Sequence, residues 1–184
     1  PESLEAVEEG IFFHYYLNRS IGHITCDYEK LLRRGIRGIR HEIRVAEANL
    51  RGSGWGVERQ RAFLRGLLVV GDALVAFARR HGDLAEEQAL RCPNPVRRAE
   101  LEEIARICRK VPEHPAETFH EALQSFWFLH LGLNLESNAY AISPGRFDQY
   151  MVPFLLRDRE RGLGDPEREQ ELLECLWLKF AELT

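Results

Sequence analysis

From Tyr28 to Leu50 the apolar residues Leu31, Leu32, Ile36, Ile39, Ile43, Val45 and Ala46 recur at roughly helical spacing, with arginines between them. Asp27 stands where a helix N-cap is expected, but Lys30 replaces the Glu of a full capping box. The run Arg51-Gly52-Ser53-Gly54-Trp55-Gly56 ends this helix, since paired glycines favour a left-handed exit and a turn. A second helix is predicted from Val57 to about His81. It is apolar on several faces (Phe63, Leu64, Leu67, Leu68, Val69, Val70, Leu74, Val75, Phe77), a pattern that predicts burial on several sides. Gly66 and Gly71 weaken it as a helix but permit close helix–helix approach. Breaks are predicted at Gly82-Asp83 and at Cys92-Pro93-Asn94-Pro95.

A short amphipathic helix follows from about Val96 to Lys110, with Leu101, Ile104, Ala105 and Cys108 on one stripe. Pro112 and Pro115 bracket a connector, after which Ala116 to about Leu133 reads as a helix. Its centre, Phe126-Trp127-Phe128-Leu129, is apolar on every face and predicts a place deep in a larger body. The helical period is lost from Asn134 to Ile142, and Ser137 to Ile142 reads as a short strand or extended segment before the Ser143-Pro144-Gly145 turn. Two last helices are predicted from Phe147 to Arg161 and from Pro166 to Leu183, separated by Gly162 to Asp165. The last is still in full period at Thr184, and no initiator Met opens the chain. The expectation is a mainly α chain, cut at its C-terminus and starting upstream of Pro1, with at most one or two short strands around 137–142.

Composition narrows the function classes. With 45% hydrophobic and 29% charged residues the chain is globular rather than disordered. A formal charge of -4, with arginines interleaved with carboxylates as in Arg157-Asp158-Arg159-Glu160, gives no basic surface for nucleic acid or an acidic membrane. No apolar run reaches the ~18 residues of a membrane span. The acidic start is the opposite of a signal peptide, so the expected location is the cytoplasm. Cys26, Cys92, Cys108 and Cys175 are widely spaced without a Cys-x-x-Cys pair, which favours reduced thiols.

Several site types fail on their motifs. There is no nucleotide phosphate loop and no Gly-x-Ser-x-Gly elbow. Glu117-Thr118-Phe119-His120 has the i, i+3 spacing of a carboxylate di-iron ligand pair, but no other histidine has Glu three residues before it. A hydrogen-bonded helix pair is the better reading.

Two segments are more informative. One is Ile21-Gly22-His23-Ile24-Thr25-Cys26-Asp27-Tyr28-Glu29-Lys30, continuing to Ile36. The other holds Phe119-His120-Glu121-Ala122-Leu123-Gln124-Ser125-Phe126-Trp127 and then Ser143-Pro144-Gly145-Arg146-Phe147-Asp148-Gln149-Tyr150. In this order the strings resemble the pyruvate formate-lyase-like branch of the glycyl radical enzymes, particularly its dehydratases and related lyases. The resemblance runs from about Gly10 to the end and implies a partial pyruvate formate-lyase-like domain over residues 1–184, the helical N-terminal part of a ten-stranded α/β barrel. It implies a glycyl radical, installed by a radical S-adenosylmethionine activating enzyme, that makes a thiyl radical on a barrel cysteine. The thiyl would abstract hydrogen from a small organic substrate. It also implies a homodimer at full length.

The family's cysteine sits in a Gly-Cys-x-Glu context, and its glycine in an Arg-Val-Ala/Ser-Gly-Tyr/Phe-like string. Neither occurs here, so the expectation is no catalytic residue, cofactor or metal in this piece, and no activity from it alone. What the resemblance carries over is pocket wall. His23 matches a histidine that binds substrate hydroxyls in diol-dehydratase-like members, and Tyr15 matches an aromatic that lines the same pocket. Where glycerol-type relatives have His-Ser after Ser-Asn-Gly, this chain has Tyr140-Ala141 after Ala139. That change removes hydroxyl-binding groups and favours a larger or less hydroxylated substrate. Arg146 and Asp148 read as structural, Asp148 being favoured at a helix N-terminus. Two rivals stay open: a non-catalytic helical scaffold or interaction module, and an arylacetate-type decarboxylase. Exposed apolar faces at Val57–His81 and Phe126–Leu129 predict a poorly soluble fragment.

Overall fold

The computed structural model describes residues 20–137 and 139–183, together with Glu9. In chain order the elements are β1 (Ser20–Thr25), α1 (Tyr28–Asn49), α2 (Trp55–Arg91), α3 (Pro95–Lys110), α4 (Phe119–Ser137), β2 (Ala139–Ser143), α5 (Phe147–Glu160) and α6 (Pro166–Ala181). The mainly α expectation holds. The segment around 137–142 is a strand as predicted, and it pairs in parallel with β1, a strand that the sequence pattern does not announce.

Helix starts follow side-chain chemistry. Asp27 Oδ1 accepts the Lys30 amide at 3.0 Å, and Asn94 Oδ1 accepts those of Val96 and Arg97 ahead of Pro95. Asp165 Oδ1 does the same for Glu167 and Arg168 ahead of Pro166. Each satisfies amides that have no partner within the helix. At the start of α4, Thr118 Oγ1 accepts the Glu121 amide, while Asp158 Oδ2, reaching across from α5, accepts the Phe119 amide at 2.7 Å.

Three helix predictions are corrected. α2 does not stop near His81: it continues to Arg91 in one helix. Gly82 is no break there, because it is buried where α3 crosses, and a Cβ on it would lie 3.1 Å from the Ala105 carbonyl oxygen. α4 begins and ends later than predicted, running through Asn134 to Ser137. α1 is two helical pieces joined at Gly35, whose φ of 61° only glycine adopts without strain. A Cβ at Gly35 would lie 2.5 Å from the Glu113 carbonyl oxygen. In return the Ile36 and Arg37 amides donate to the carbonyls of Pro112 and Glu113, and the Ala116 amide donates to Leu32.

α4 is the central helix and packs on α1, α2, α3, α5, α6 and β2. Around it lies the main core of Tyr28, Leu32, Ile107, Val111, Phe119, Ala122, Leu123, Phe126, Met151, Phe154 and Leu176. Phe126 is completely covered and Phe128 nearly so. The exposed Phe126–Leu129 face expected from the sequence is therefore corrected: these rings find their cover within the chain. The expected burial of α2 on several sides is corrected in the other direction. Phe63, Val69 and Val70, in its N-terminal half, are 66%, 68% and 66% exposed.

One charged group is deep in this packing. Glu121 on α4 is 1% exposed; its carboxylate accepts from Lys110 Nζ, Arg106 and the Glu117 amide. Burial alone would raise its pKa, but the hydrogen bonds from Lys110 and the Glu117 amide outweigh that and hold it below the usual carboxylate range. The tie fixes α3 against α4.

Candidate functional site

Of the predicted pocket residues, His23 and Ala141 lie opposite each other on the two strands. In the parallel ladder His23 pairs with Ala141, Ile24 with Ile142 and Thr25 with Ser143, after an irregularity between Ser20 and His23. Paired residues in a parallel ladder share a face, so His23 and Ala141 stand side by side, with Thr25 and Ser143 next along. His23 is exposed and Ala141 half-buried. Tyr140 belongs to β2 one position before Ala141, and only its backbone is described. Tyr15 lies outside the described residues.

The turn after β2 is held from two sides. Ser143 Oγ accepts the Gly145 amide at 3.2 Å, and Gly145 has φ 67°. A Cβ there would lie 2.9 Å from Thr25 Cγ2, so the turn closes directly onto the end of β1. Arg146 pairs with Asp148 at 3.1 Å on the surface, the structural role expected of both. The Arg146 guanidinium and the Gln149 side chain hold the Asp148 carboxyl down at about 2.

Beside the turn that follows β2 is an aromatic cluster that sequence reasoning missed as a unit. Tyr150 Oη donates to the Pro144 carbonyl at 2.6 Å, fixing the turn to α5. Its ring stacks on Tyr28 at 6.0 Å, and Tyr28 lies 4.6 Å from Phe126. Tyr28, at the first position after the Asp27 cap, joins its hydroxyl to His130 Nδ1 at 2.9 Å. Burial pushes both tyrosines up and His130 down, so the cluster is neutral near pH 7. The available signal was that Tyr28 and Tyr150 both lie in the quoted strings and that both are aromatic beside turns.

Other candidate chemistry resolves into structure. Glu117 pairs with Lys110 rather than with His120, and among the described residues no group of three or more His, Cys, Asp or Glu is placed to hold a metal ion. All four cysteines are free thiols. Cys108 behaves as the small buried residue expected, its thiol pushed up to about 11 by burial, whereas Cys175 is exposed on α6. A groove of about 420 Å³ is lined by Arg106, His120, Asp158 and Arg168 among others. It sits at the first turn of α4, some ~27 Å along that helix from β2 at 1.5 Å per residue, so it is separate from the strand site. Among the described residues no helix is long and apolar enough to cross a membrane.

The chain matches the family model described as pyruvate formate lyase-like over residues 1–184. It is 43% identical over 159 residues to an isethionate sulfite-lyase of Oleidesulfovibrio alaskensis, covering 85% of this chain and 19% of that protein. It is 36% identical over 185 residues to a trans-4-hydroxy-L-proline dehydratase of Clostridioides difficile, covering 98% of this chain and 23% of that one. A solved structure concerned with 1,2-propanediol dehydration in Roseburia inulinivorans superposes with a TM-score of 0.87 at 40% identity, covering 97% of this chain and 23% of that one. The chain thus spans about a fifth of the length of these relatives. With the family model matched along its whole length, the chain belongs to the pyruvate formate lyase-like family of glycyl radical dehydratases and lyases.

Proposed function

We propose that this chain is the N-terminal portion of a glycyl radical lyase or dehydratase and forms one wall of its substrate pocket. The observation that carries the reading is the register of β1 on β2, which sets His23 beside Ala141 on one strand face. His23 orients or deprotonates a small organic substrate, and Tyr15, Tyr140 and Ala141 shape the space around it. The radical glycine and the thiyl cysteine belong to polypeptide beyond these residues, since none of the four cysteine contexts here has the Gly-Cys-x-Glu form. The piece is inactive alone; the whole protein is a cytoplasmic homodimer charged by an activating enzyme. Ala141 offers no hydrogen bond where a hydroxyl-binding side chain would otherwise stand, which argues for a substrate less hydroxylated than glycerol or propanediol.

The test is anaerobic activation of the protein as the cell makes it, followed by electron paramagnetic resonance and assay against sulfonate, hydroxylated and arylacetate substrates. A glycyl radical signal, with turnover lowered about a hundredfold or more by His23→Ala, is the expected result. Retention of full activity by His23→Ala would remove the histidine from the pocket. Turnover of an arylacetate with release of carbon dioxide would move the reaction to decarboxylation. One observation favours the non-catalytic module as a second reading: the aromatic core around Phe126 is covered within this chain. A stable gene product ending at Thr184, with no radical signal, would establish it.

A further inference from the structure

The outward face of α2 is unlike the rest of the surface. Between Arg59 and Arg80, the residues Ala62, Gly66, Val69, Ala73 and Ala76 recur at alternating steps of four and three, and every one is exposed. Phe63 and Val70 flank this strip, 66% exposed each. Alternating four and three is the spacing of a seam that a second helix fills, and contiguous exposed apolar surface marks a contact. Gly66 serves no packing among the described residues, because a Cβ there would meet nothing within 4 Å. A glycine inside a helix is destabilising relative to Ala; on this face it leaves a notch that a neighbouring helix can enter.

The ends of the strip say what kind of helix. Elsewhere on α2, Arg61, Arg65 and Arg79 pair with Glu58, Glu47 and Glu113. Arg59 and Arg80 have no carboxylate partner among the described residues. A second copy of α2 fits poorly in the register that would bury the whole strip. Antiparallel, it sets Arg59 against Arg80 at both ends; parallel, it sets each arginine against itself. Like charges facing across a helix pair are destabilising. A helix with a small apolar stripe and a carboxylate at each end, about 31 Å apart by helical rise, meets both the seam and the charges.

We infer that this face of α2 seats an acidic-ended helix contributed by the same polypeptide outside residues 1–184. The inference rests on the proposal that the chain is part of a longer enzyme, for which the relatives supply the scale: about four fifths of their length lies outside the match.

The experiment places Val69→Cys, in a Cys175→Ser background, in the protein as the cell makes it, and compares maleimide labelling of the native and guanidinium-unfolded forms. Labelling about a hundredfold slower in the native form, unchanged on hundredfold dilution, is expected. Arg59→Glu should restore at least about a tenth of the unfolded rate by setting like charges together. Fast native labelling would show an open face and overturn the inference. Protection that disappears on dilution would assign the face to a second copy and overturn it equally. A gene product that ends at Thr184 removes the longer-enzyme reading itself, an outcome separate from a longer protein in which the thiol introduced by Val69→Cys labels freely.

Discussion

Two stretches of this chain are apolar on several faces in sequence and end in opposite environments. The middle of α4 places Phe126 and Phe128 under complete or nearly complete cover, the first among α1, α3, α5 and α6 and the second against α3 and the second half of α2. The first half of α2 leaves Phe63, Val69 and Val70 about two-thirds exposed, with the second half of α1 along one side. Apolar residues on all faces of a helix state how much surface must be covered, not which part of a polypeptide covers it. α4 finds its cover within these residues; α2 finds it on one side.

The difference can be broken or sharpened by substitution, read as urea unfolding of the protein. Phe126→Ala should cost about 3–5 kcal/mol, because it empties a fully packed site at the crossing of four helices. Gly35→Ala should cost at least about 3 kcal/mol, since the new Cβ meets backbone of the 113–115 segment and the residue must hold a positive φ. Equal stability in Gly35→Ala would show that the joint in α1 can relax. Glu121→Ala should cost about 2–3 kcal/mol by leaving Lys110 and Arg106 without their buried acceptor; Lys110 keeps some solvent, which limits the loss.

His130 supplies a pH test of the same packed region. Its folded pKa lies below the ordinary value, so the unfolded chain binds more protons as pH falls. Its contribution is therefore complete above the ordinary histidine range and is lost as pH drops through and below about 6.5. Thermal unfolding between pH 7.5 and 5 should show a falling Tm, and His130→Gln should flatten that slope. The smallest effect belongs to the other region: in a piece limited to residues 1–184, where the ring is 66% exposed, Phe63→Ser should change stability by no more than about 0.5 kcal/mol. In the protein as made, a loss approaching that of Phe126→Ala would show that the outward face of α2 is packed.

Much of the helical layout was legible because it is local. Asp27 caps the helix that its position announces, Asn94 and Asp165 cap the helices predicted to follow their breaks, and the Leu101–Cys108 stripe is the buried face of α3. What escaped depends on distant partners. Ser20–Thr25 shows no alternation of its own, and its strand character comes from pairing with Ala139–Ser143, more than a hundred residues later. Gly82 reads as punctuation until Ala105 is seen beside it, and Gly35 reads as a weak helix position until the 113–115 backbone fills the space of its missing side chain. Of the candidate site, His23 and Ala141 were named from the family resemblance and only the fold shows them side by side, while the Tyr28–His130–Tyr150 cluster exists only in three dimensions.

The joint at Gly35 has a further consequence for how this sequence can vary. The second piece of α1 has its first two amides tied to Pro112 and Glu113, so the direction in which that piece leaves the body is set by a loop far away in the chain. Adding or removing one residue between Val111 and Ala116 would swing the α1–α2 hairpin as a lever rather than merely change a surface loop. That loop should therefore keep its length among working variants even where its side chains drift, while the Arg51–Gly54 connection at the hairpin's far tip is free to grow or shrink.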